Sequence, residues 1–255
     1  MTTTRTKKYL SIQPDNVPAS GRVSAARGNP IVTMTLGRQD AVLDLKSLRL
    51  SGELDVWSTA AGNAHPTAAA AAKLRGSHKL GIYSAIDQII FRHAETKQVI
   101  EHIRHYGRFM SSYIPTTASM QDVSGHLGES ALIMPNYQSY RDNVIRNTTS
   151  SPFCIPIPSG LTMGNATGIP LNKLPIEMEI HLANDSQFFY TSDGTTADST
   201  NAFYELSNLE LSCEVHVGEP SPDKGALMFN SITSYFSTLE TTNAIINFNL
   251  GLSKV

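Results

Sequence analysis

Apolar and polar residues alternate one by one in several separate segments of this chain. A two-residue period is the signature of a β-strand with one buried and one solvated face, because successive side chains of a strand point to opposite faces. The apolar positions of these segments are Val32, Met34 and Leu36; Leu48, Leu50, Leu54 and Val56; Ile176, Met178, Ile180 and Leu182; Leu209, Leu211, Cys213, Val215 and Val217; and Ile246, Phe248, Leu250 and Leu252. We therefore expect the chain to fold mainly as β-sheet.

Two further β-rich runs and one segment of helical period complete the pattern. Residues 82–91 are rich in isoleucine, and residues 153–158 are apolar but contain prolines, which indicate an edge or bulged strand. The count of about eight strands, without regular strand–helix alternation, disfavours a parallel α/β fold. The immunoglobulin-like sandwich has no place for a long inserted helix. We therefore predict an all-β fold, an eight-stranded antiparallel jelly-roll sandwich with one inserted amphipathic helix.

The alternation also predicts which side chains fill the core. The strands at 176–182, 209–217 and 246–252 should belong to one two-sheet sandwich, since each has one apolar face. The side chains predicted to point into the shared core are Ile176, Met178, Ile180, Leu211, Val215, Phe248 and Leu250. Glu177 and Glu179 then project from the opposite face, where carboxylates are expected to meet solvent.

A different period governs residues 95–114. Apolar side chains recur there at steps of four and three, which places them on one face of an α-helix packed by Val99, Ile103, Tyr106 and Met110. His102 and His105 flank that face at i, i+3. Zinc-binding helices of metalloproteases use i, i+4 histidines with a glutamate between them. We therefore predict a helix that carries no metal.

The N-terminal residues lack any period. Residues 1–27 are rich in Thr, Ser, Ala, Gly and Pro, and we predict that they form an extended N-terminal arm. Two alternatives stay open for it: a disordered tail, or an arm that orders against a neighbouring subunit. Residues 28–255 are predicted to form the jelly-roll domain, with long polar connections at 58–79, 115–150 and 184–201.

Charge and composition argue against several function classes. Charged residues make up 16% of the chain, against about 25% in an average soluble protein. With a net charge of −2, no positive field draws the chain to nucleic acid, and we expect no specific nucleic-acid recognition. No run approaches the roughly 18 apolar residues of a membrane span. Cys154 and Cys213 are expected to be reduced core residues of a protein made inside a cell.

The motifs of catalysis and cofactor binding are missing from the sequence. The glycine-rich stretch at 159–168 lacks the Gly-Lys-Ser/Thr ending of a phosphate-binding loop. There is no Gly-x-Ser-x-Gly nucleophile elbow, and neither cysteine has a basic flank that would activate it. We therefore expect a protein that is not an enzyme, with no catalytic, cofactor-binding or metal site.

The order of the segments carries a resemblance that no single motif carries. The segments are LSGELDV (50–56), GIYSAIDQII (81–90), TKQVIEHIRHY (96–106), FCIPIPSGL (153–161), GIPLNKLPIEMEIHL (168–182), YELSNLELSCEV (204–215) and NFNLGLSKV (247–255). This succession resembles the double jelly-roll major capsid proteins of tailless icosahedral DNA viruses, above all those of virophages and polinton-like elements. The resemblance covers most of residues 30–255.

The resemblance implies a structural viral capsid protein. In that family three subunits form a pseudo-hexagonal capsomer, and capsomers tile an icosahedral shell, often above an internal membrane. The expected partners are copies of the chain itself as a homotrimer, together with penton and minor capsid proteins and an internal membrane. The expected location is the virion, after assembly inside the host cell. The family brings no catalytic residues with it.

This sequence departs from the family in one respect. The family chain carries two jelly rolls, whereas the strands counted here make only one. We therefore expect these 255 residues to be the first jelly roll of a larger capsid polypeptide. The strand-like ending at 247–255, which resembles the closing strand of the family's first jelly roll, favours this prediction.

Two alternative functions remain. A jelly-roll binding module for a carbohydrate or receptor would need an aromatic platform or a Ca²⁺-binding carboxylate cluster, for which the only candidates are the pairs Glu177/Glu179 and Glu210/Glu214. A cupin-like enzyme would need a His-x-His pair on a strand, which the sequence lacks. Aromatic residues outside the strand pattern are candidate interface contacts, namely Trp57, Tyr137, Tyr140, Phe188, Phe189 and Tyr190.

Overall fold

The computed structural model of the chain describes residues 6–59, 62–66, 74–77, 79–133, 150–164, 168–191, 201–218 and 229–234. Its strands are β1 (Thr6–Ile12), β2 (Arg22–Val23), β3 (Ile31–Leu36), β4 (Ala41–Ser58), β5 (Leu74–Arg75), β6 (Ile86–His93), β7 (Val99–Ile103), β8 (Ser151–Pro156), β9 (Ile169–Pro170), β10 (Ile176–Leu182), β11 (Tyr190–Thr191) and β12 (Ala202–Val217). Its helices are a 3₁₀ turn (Gly81–Ala85), α1 (Tyr106–Thr117), α2 (Met120–Ser124), α3 (His126–Ser130), α4 (Gly160–Gly164) and α5 (Asp185–Phe188). None of these described helices is long and apolar enough to cross a membrane.

The strands form two antiparallel sheets that pack face to face. In sheet A the strand order is β1-β12-β4-β8, with β2 added along β12 and β9 along β4; in sheet B the order is β3-β10-β6-β7. A separate short pair joins β5 and β11. The predicted all-β, eight-stranded antiparallel jelly-roll sandwich is confirmed, since four strands lie on the main path of each sheet within the described residues.

The core lies between the two sheets and is lined by the inward side chains of β10 and β12. Ile176, Met178, Ile180, Leu211 and Val215 are each at most 2% exposed, as their alternation predicts. Burial of a side chain of this size contributes about 1.5–3 kcal/mol, so the core side chains of the two sheets hold the sandwich together. The predicted core positions at 248 and 250 lie outside the described residues.

The pairing of β4 with β12 is interrupted by two bulges, the first of them between Ser207 and Glu210. The register shifts between Ser212 and Glu214, so that β12 advances two residues while β4 advances from Arg49 to Asp44. The Ser47 hydroxyl accepts a hydrogen bond from the Glu214 N–H at 2.8 Å, so a side chain satisfies this backbone donor at the bulge. The bulge leaves Asp44 directly opposite Glu214.

The helix predicted over 95–114 begins too early. Residues Val99–Ile103 form strand β7, and Val99 is 50% exposed instead of packed. Ile103 is buried, but it reaches the core from a strand. From Tyr106 onward the prediction is correct, because Tyr106 and Met110 are buried on one face of α1.

Backbone geometry explains why the helix cannot start earlier. Lys97 adopts φ +58° in the turn that joins β6 to β7, and His105 adopts φ +53° immediately before α1. Two left-handed residues break a right-handed helix. The steps of four and three in the sequence therefore span two different elements, each of which places its own residues in the core.

The predicted polar connections contain short elements. The loop at 115–150 is helical over much of its described part, where Ser119 and Asp122 form a reciprocal capping box at the start of α2. The loop at 58–79 contains β5, and the loop at 184–201 contains α5 and β11.

Candidate interaction surface

The outer face of sheet A, which points away from the core, carries charged side chains of β4 and β12. Its positions alternate with the core positions of β4 and β12. The carboxylates among them are Asp44, Glu53, Asp55, Glu205, Glu210 and Glu214. Cations reach this face from the N-terminal segment.

At one end of this face lies the Glu205 cluster, which we define as Glu205, Asp55, Arg22 and Arg27. The Glu205 side chain is completely buried, and its Oε2 accepts a hydrogen bond from Arg22 Nη1 at 2.9 Å. Arg27 Nε forms an ion pair with the other carboxylate oxygen of Glu205. Arg22 Nη1 also lies 4.0 Å from Asp55 Oδ2. Two arginines therefore neutralise a carboxylate that would otherwise be buried without a counter-ion.

Aromatic rings cover the Glu205 cluster. The Arg22 guanidinium lies 4.9 Å from the centroid of the Trp57 ring, and the Arg27 guanidinium lies 5.4 Å from that of Phe203. His65 stacks on Trp57 with the ring centroids 4.4 Å apart. The rings reduce the access of water, which strengthens the ion pairs beneath them.

At the other end lies the Glu214 cluster, which we define as Lys7, Asp44, Glu214 and His216. Lys7 Nζ donates to Glu214 Oε2 at 2.6 Å, and His216 Nε2 lies 3.3 Å from Glu214 Oε1. The side-chain hydrogen bond to Glu214 raises the pKa of Lys7 above its ordinary value. Lys7 is half-exposed and His216 about one-third exposed, whereas the Glu214 side chain between them is only 11% exposed.

The described part of the N-terminal arm is bound to its own domain. β1 pairs with β12 from Thr6–Val217 to Ile12–Leu211, and β2 continues along the same edge of β12. Lys7, Arg22 and Arg27 then reach onto the outer face of sheet A. Residues 6–27 are thus ordered against β12 of the same chain and are not a disordered tail, while the alternative of an arm that orders against a neighbouring subunit stays a prediction.

The outer face of sheet B also pairs its charges. Glu177 is only 5% exposed and forms an ion pair with Lys97. Glu179 accepts a hydrogen bond from Arg92 Nη2 at 3.2 Å, forms an ion pair with Arg92 Nη1 at 2.9 Å, and lies 2.5 Å from His181 Nε2. The expectation that both carboxylates face solvent was wrong for Glu177, because the side chain of Lys97 covers it.

A further buried carboxylate, that of Glu101, accepts hydrogen bonds from backbone N–H groups. Glu101 is 2% exposed, and it accepts hydrogen bonds from the N–H groups of Gly160 and Leu161, each at 2.9 Å, and from Ile232 N–H at 3.3 Å. A Cβ on Gly160 would lie 1.8 Å from the carbonyl oxygen of Asn230. Glu101 therefore fastens the start of α4 and the segment 229–234 to β7.

The strand edges differ in how they are protected. The outer edge of β3 is covered by residues 15 and 16, since Asn16 Oδ1 accepts from Thr33 N–H at 2.9 Å and Asp15 N–H donates to Thr33 O at 2.8 Å. In sheet A, β8 is the terminal strand at the edge opposite β1. It is an edge strand, as predicted, and carries two prolines. Along β1, no described strand pairs with the outer edge, and Tyr9 is 76% exposed there.

The aromatic residues predicted as contacts pack mainly within the domain. Phe188 is 3% exposed and lies 4.4 Å from the ring of Tyr204, with Phe189 packed against it edge-on. The Trp57 ring packs against the Arg22 guanidinium of the Glu205 cluster. Tyr137 and Tyr140 lie outside the described residues, as does the side chain of Tyr190.

The histidines weighed as metal ligands are separated by the fold. His102 lies on β7, where Nε2 bonds to Gln88 Oε1 at 2.8 Å; burial, followed by the charge of Arg104, lowers the pKa of His102. His105 precedes α1, and its Nδ1 lies 3.8 Å from Asp87. The absence of metal at these histidines stays a prediction.

The two cysteines are both free, but only one lies in the core. Cys213 is 2% exposed, and burial raises the pKa of its thiol to about 11. The prediction of a core position was wrong for Cys154, which is exposed on β8. Its neighbours Phe153 and Ile155 point inward, so the intervening side chain must point outward.

Comparison with known proteins places the fold. No protein-family model matches the sequence, and no curated protein matches it. The structure is similar to a chain of the Sputnik virophage determined by cryo-EM, with 12% sequence identity and a TM-score of 0.51, covering 83% of this chain and 48% of the virophage chain. It is also similar to the mavirus major capsid protein, with 9% identity and a TM-score of 0.37, covering 88% of this chain and 50% of the mavirus protein.

The chain therefore spans about half the length of each of these two proteins. The resemblance drawn from the sequence is confirmed at the level of the fold by the match to the virophage chain.

Proposed function

We propose that this chain is a structural protein of a viral capsid. The observation that carries the proposal is the match of its jelly roll to a virophage chain, over 83% of this chain at a TM-score of 0.51. By this proposal the protein acts through its shape and its contacts with copies of itself, and its site of action is the virion.

The finer organisation follows the same proposal. Three subunits form a pseudo-hexagonal capsomer, and capsomers tile an icosahedral shell together with penton and minor capsid proteins, above an internal membrane. Each subunit of the assembled shell holds two jelly rolls, of which residues 28–255 are the first. Coverage of 48% of the virophage chain supports this division.

A structural role, as opposed to a catalytic one, is supported by the contacts of the three most buried acids among the described residues, Glu101, Glu177 and Glu205. Glu177 and Glu205 are each neutralised by basic side chains, and Glu101 is occupied by backbone N–H groups. Acids held in this way stabilise the fold and are not free to exchange protons with a substrate. The same pairing argues against the carbohydrate-binding alternative at Glu177 and Glu179, because a Ca²⁺ ion would have to displace Lys97 and Arg92.

For contacts between copies, the described residues offer the outer edge of β1. Strand edges with unpaired N–H and C=O groups are templates for a further strand, and Tyr9 supplies an exposed aromatic side chain beside them. We assign this edge to a second copy of the chain. The polar loops at 58–79, 115–150 and 184–201 remain the other proposed contacts.

The proposal is tested by measuring the mass of the purified chain in solution and imaging it in negative stain. We expect threefold particles in equilibrium with monomer, and a weaker association in the Tyr9→Lys variant. Met120→Lys is the matched control, because Met120 is 63% exposed on α2, away from the β1 edge. A chain that stays monomeric at every concentration and binds a glycan would contradict a capsid role. The two-jelly-roll subunit is tested separately, by measuring the mass of the subunit in assembled particles. A mass near 27.7 kDa, with no second jelly-roll protein in the particles, would contradict it.

A further inference from the structure

Three metal-ligating side chains of the Glu214 cluster converge on the outer face of sheet A. Asp44, Glu214 and His216 each offer one ligand atom, and these atoms all lie within 4.8 Å of one another. None of the motifs in the sequence brings the three together, because Asp44 is about 170 residues away from the other two along the chain.

The strand ladder fixes the three side chains relative to one another. Glu214 and His216 are two residues apart on β12, so both point to the outer face. Asp44 lies directly opposite Glu214 in the ladder between β4 and β12. Ligands on paired strands are held more rigidly than ligands on loops.

The spacing of the donor atoms suits a small four-coordinate ion. With bonds of about 2.0–2.1 Å, two ligands of a tetrahedral Zn²⁺ ion lie about 3.3 Å apart. His216 Nε2 lies 3.3 Å from Glu214 Oε1 in this structure. The bond from Lys7 goes to the other oxygen, Oε2, so that Glu214 Oε1 stays directed toward His216.

The charge of the cluster also favours a cation. Two carboxylates face one lysine, and Asp44 forms no ion pair with another described residue; its Oδ1 accepts a hydrogen bond from the Lys46 N–H at 3.0 Å. One negative charge is therefore left without a basic partner beside a histidine. A divalent cation would supply the missing positive charge, and imidazole and carboxylate are both ligands of Zn²⁺.

We propose that Asp44, Glu214 and His216 bind a divalent transition-metal cation of the Zn²⁺ type, with a fourth position open to water. The ion would join the beginning of β4 to the end of β12. A Ca²⁺ ion is not the expected occupant, because it takes six to eight oxygen ligands, whereas this site offers a histidine nitrogen and two carboxylates.

The test uses the full chain without a histidine tag, stripped with a chelator and then dialysed against Zn²⁺. We expect about one Zn²⁺ per chain. His216→Gln and Asp44→Asn should each weaken binding by at least about tenfold in competition with a chromophoric chelator, since even loss of an outer partner costs 10–100-fold. Co²⁺ should give the strong visible absorption of a four-coordinate site, and this band should be absent in His216→Gln.

The matched control is His181→Gln. His181 also lies beside a carboxylate on an outer sheet face, 2.5 Å from Glu179, but Arg92 occupies that carboxylate. The His181→Gln variant should bind Zn²⁺ as tightly as the unaltered chain does. The proposal is overturned if the unaltered chain binds no stoichiometric Zn²⁺, if both Glu214-cluster variants bind as tightly as it does, or if His181→Gln loses binding equally. Urea unfolding of each variant verifies its fold, and Asp44→Asn decides the matter should His216→Gln fail to fold.

Discussion

The two ends of the outer face of sheet A hold carboxylates of β12 in opposite surroundings. Glu205 is fully buried, is paired with two arginines and lies under aromatic rings. Glu214, about 30 Å further along the strand, is nearly as buried, but it is paired with one half-exposed lysine and lies beside a histidine that is about one-third exposed. The same element, the N-terminal arm, supplies the cations at both ends.

The difference shows how burial decides what an ion pair contributes. A buried carboxylate depends on its cations, because removing them leaves a charge that has lost its water. A pair whose cation is half-exposed is screened by salt and costs side-chain entropy, so the Lys7–Glu214 pair contributes less. The two arginines at the Glu205 end therefore anchor the arm more strongly than the single lysine does at the Glu214 end.

The largest effect is expected from removing both cations of the Glu205 end. The double variant Arg22→Met with Arg27→Met leaves Glu205 buried and unpaired, and we expect the free energy of unfolding to fall by about 3–5 kcal/mol. Urea denaturation measures it. The matched control is Arg38→Met, since Arg38 and Glu95 form a pair in which both side chains are more than half exposed; here the change should be about 0–1 kcal/mol. A loss below about 1 kcal/mol in the double variant would mean that Glu205 does not depend on its arginines.

A smaller effect is expected from the aromatic cover. A double-mutant cycle between Arg22→Met and Trp57→Leu should give a coupling free energy of about 0.5–1 kcal/mol, the strength of a cation–π contact of this kind. The comparison cycle uses Lys7 and Tyr9, whose ring contact of 5.6 Å is exposed, and should give no resolvable coupling. Equal coupling in the two cycles would contradict the view that burial separates the two ends.

The alternation of side chains made the sandwich predictable from the sequence. Strict period-2 runs such as Ile176–Met178–Ile180 have one arrangement that buries their apolar face, and both their strand and their core positions are confirmed. The helix start was mispredicted because two elements joined at His105 happen to continue one apolar spacing. A left-handed residue in the backbone leaves no mark on that spacing.

The charged surface could not be predicted in the same way. Arg22 and Glu205 are separated by 183 positions, and the sequence pattern does not specify which strands become neighbours. The same holds for Asp44 and Glu214, which meet only through the register of β4 and β12. Strict alternation would place Glu205 and Glu214, which are nine residues apart on β12, on opposite faces of the sheet. The register shift between Ser207 and Glu210, where Asn208 adopts φ +51°, brings both carboxylates to the outer face, and the sequence pattern did not predict it.

The smallest effect is expected at Lys7, and it is best measured as a pKa. The hydrogen bond to Glu214 raises the pKa of Lys7 above its ordinary value, so the charged lysine stabilises the fold at lower pH, and that contribution is lost as the pH rises through the raised pKa. Titration by ¹³C NMR at the Lys7 Cε should therefore give a midpoint above the ordinary value of a lysine side chain. In Glu214→Gln the midpoint should fall toward the ordinary value, because the amide carries no charge.

Glu210→Gln is the control, since Glu210 lies on the same strand without a described ion pair, and it should leave the midpoint unchanged. A midpoint that stays the same in Glu214→Gln, or that falls equally in Glu210→Gln, would show that Glu214 does not hold the arm at this end.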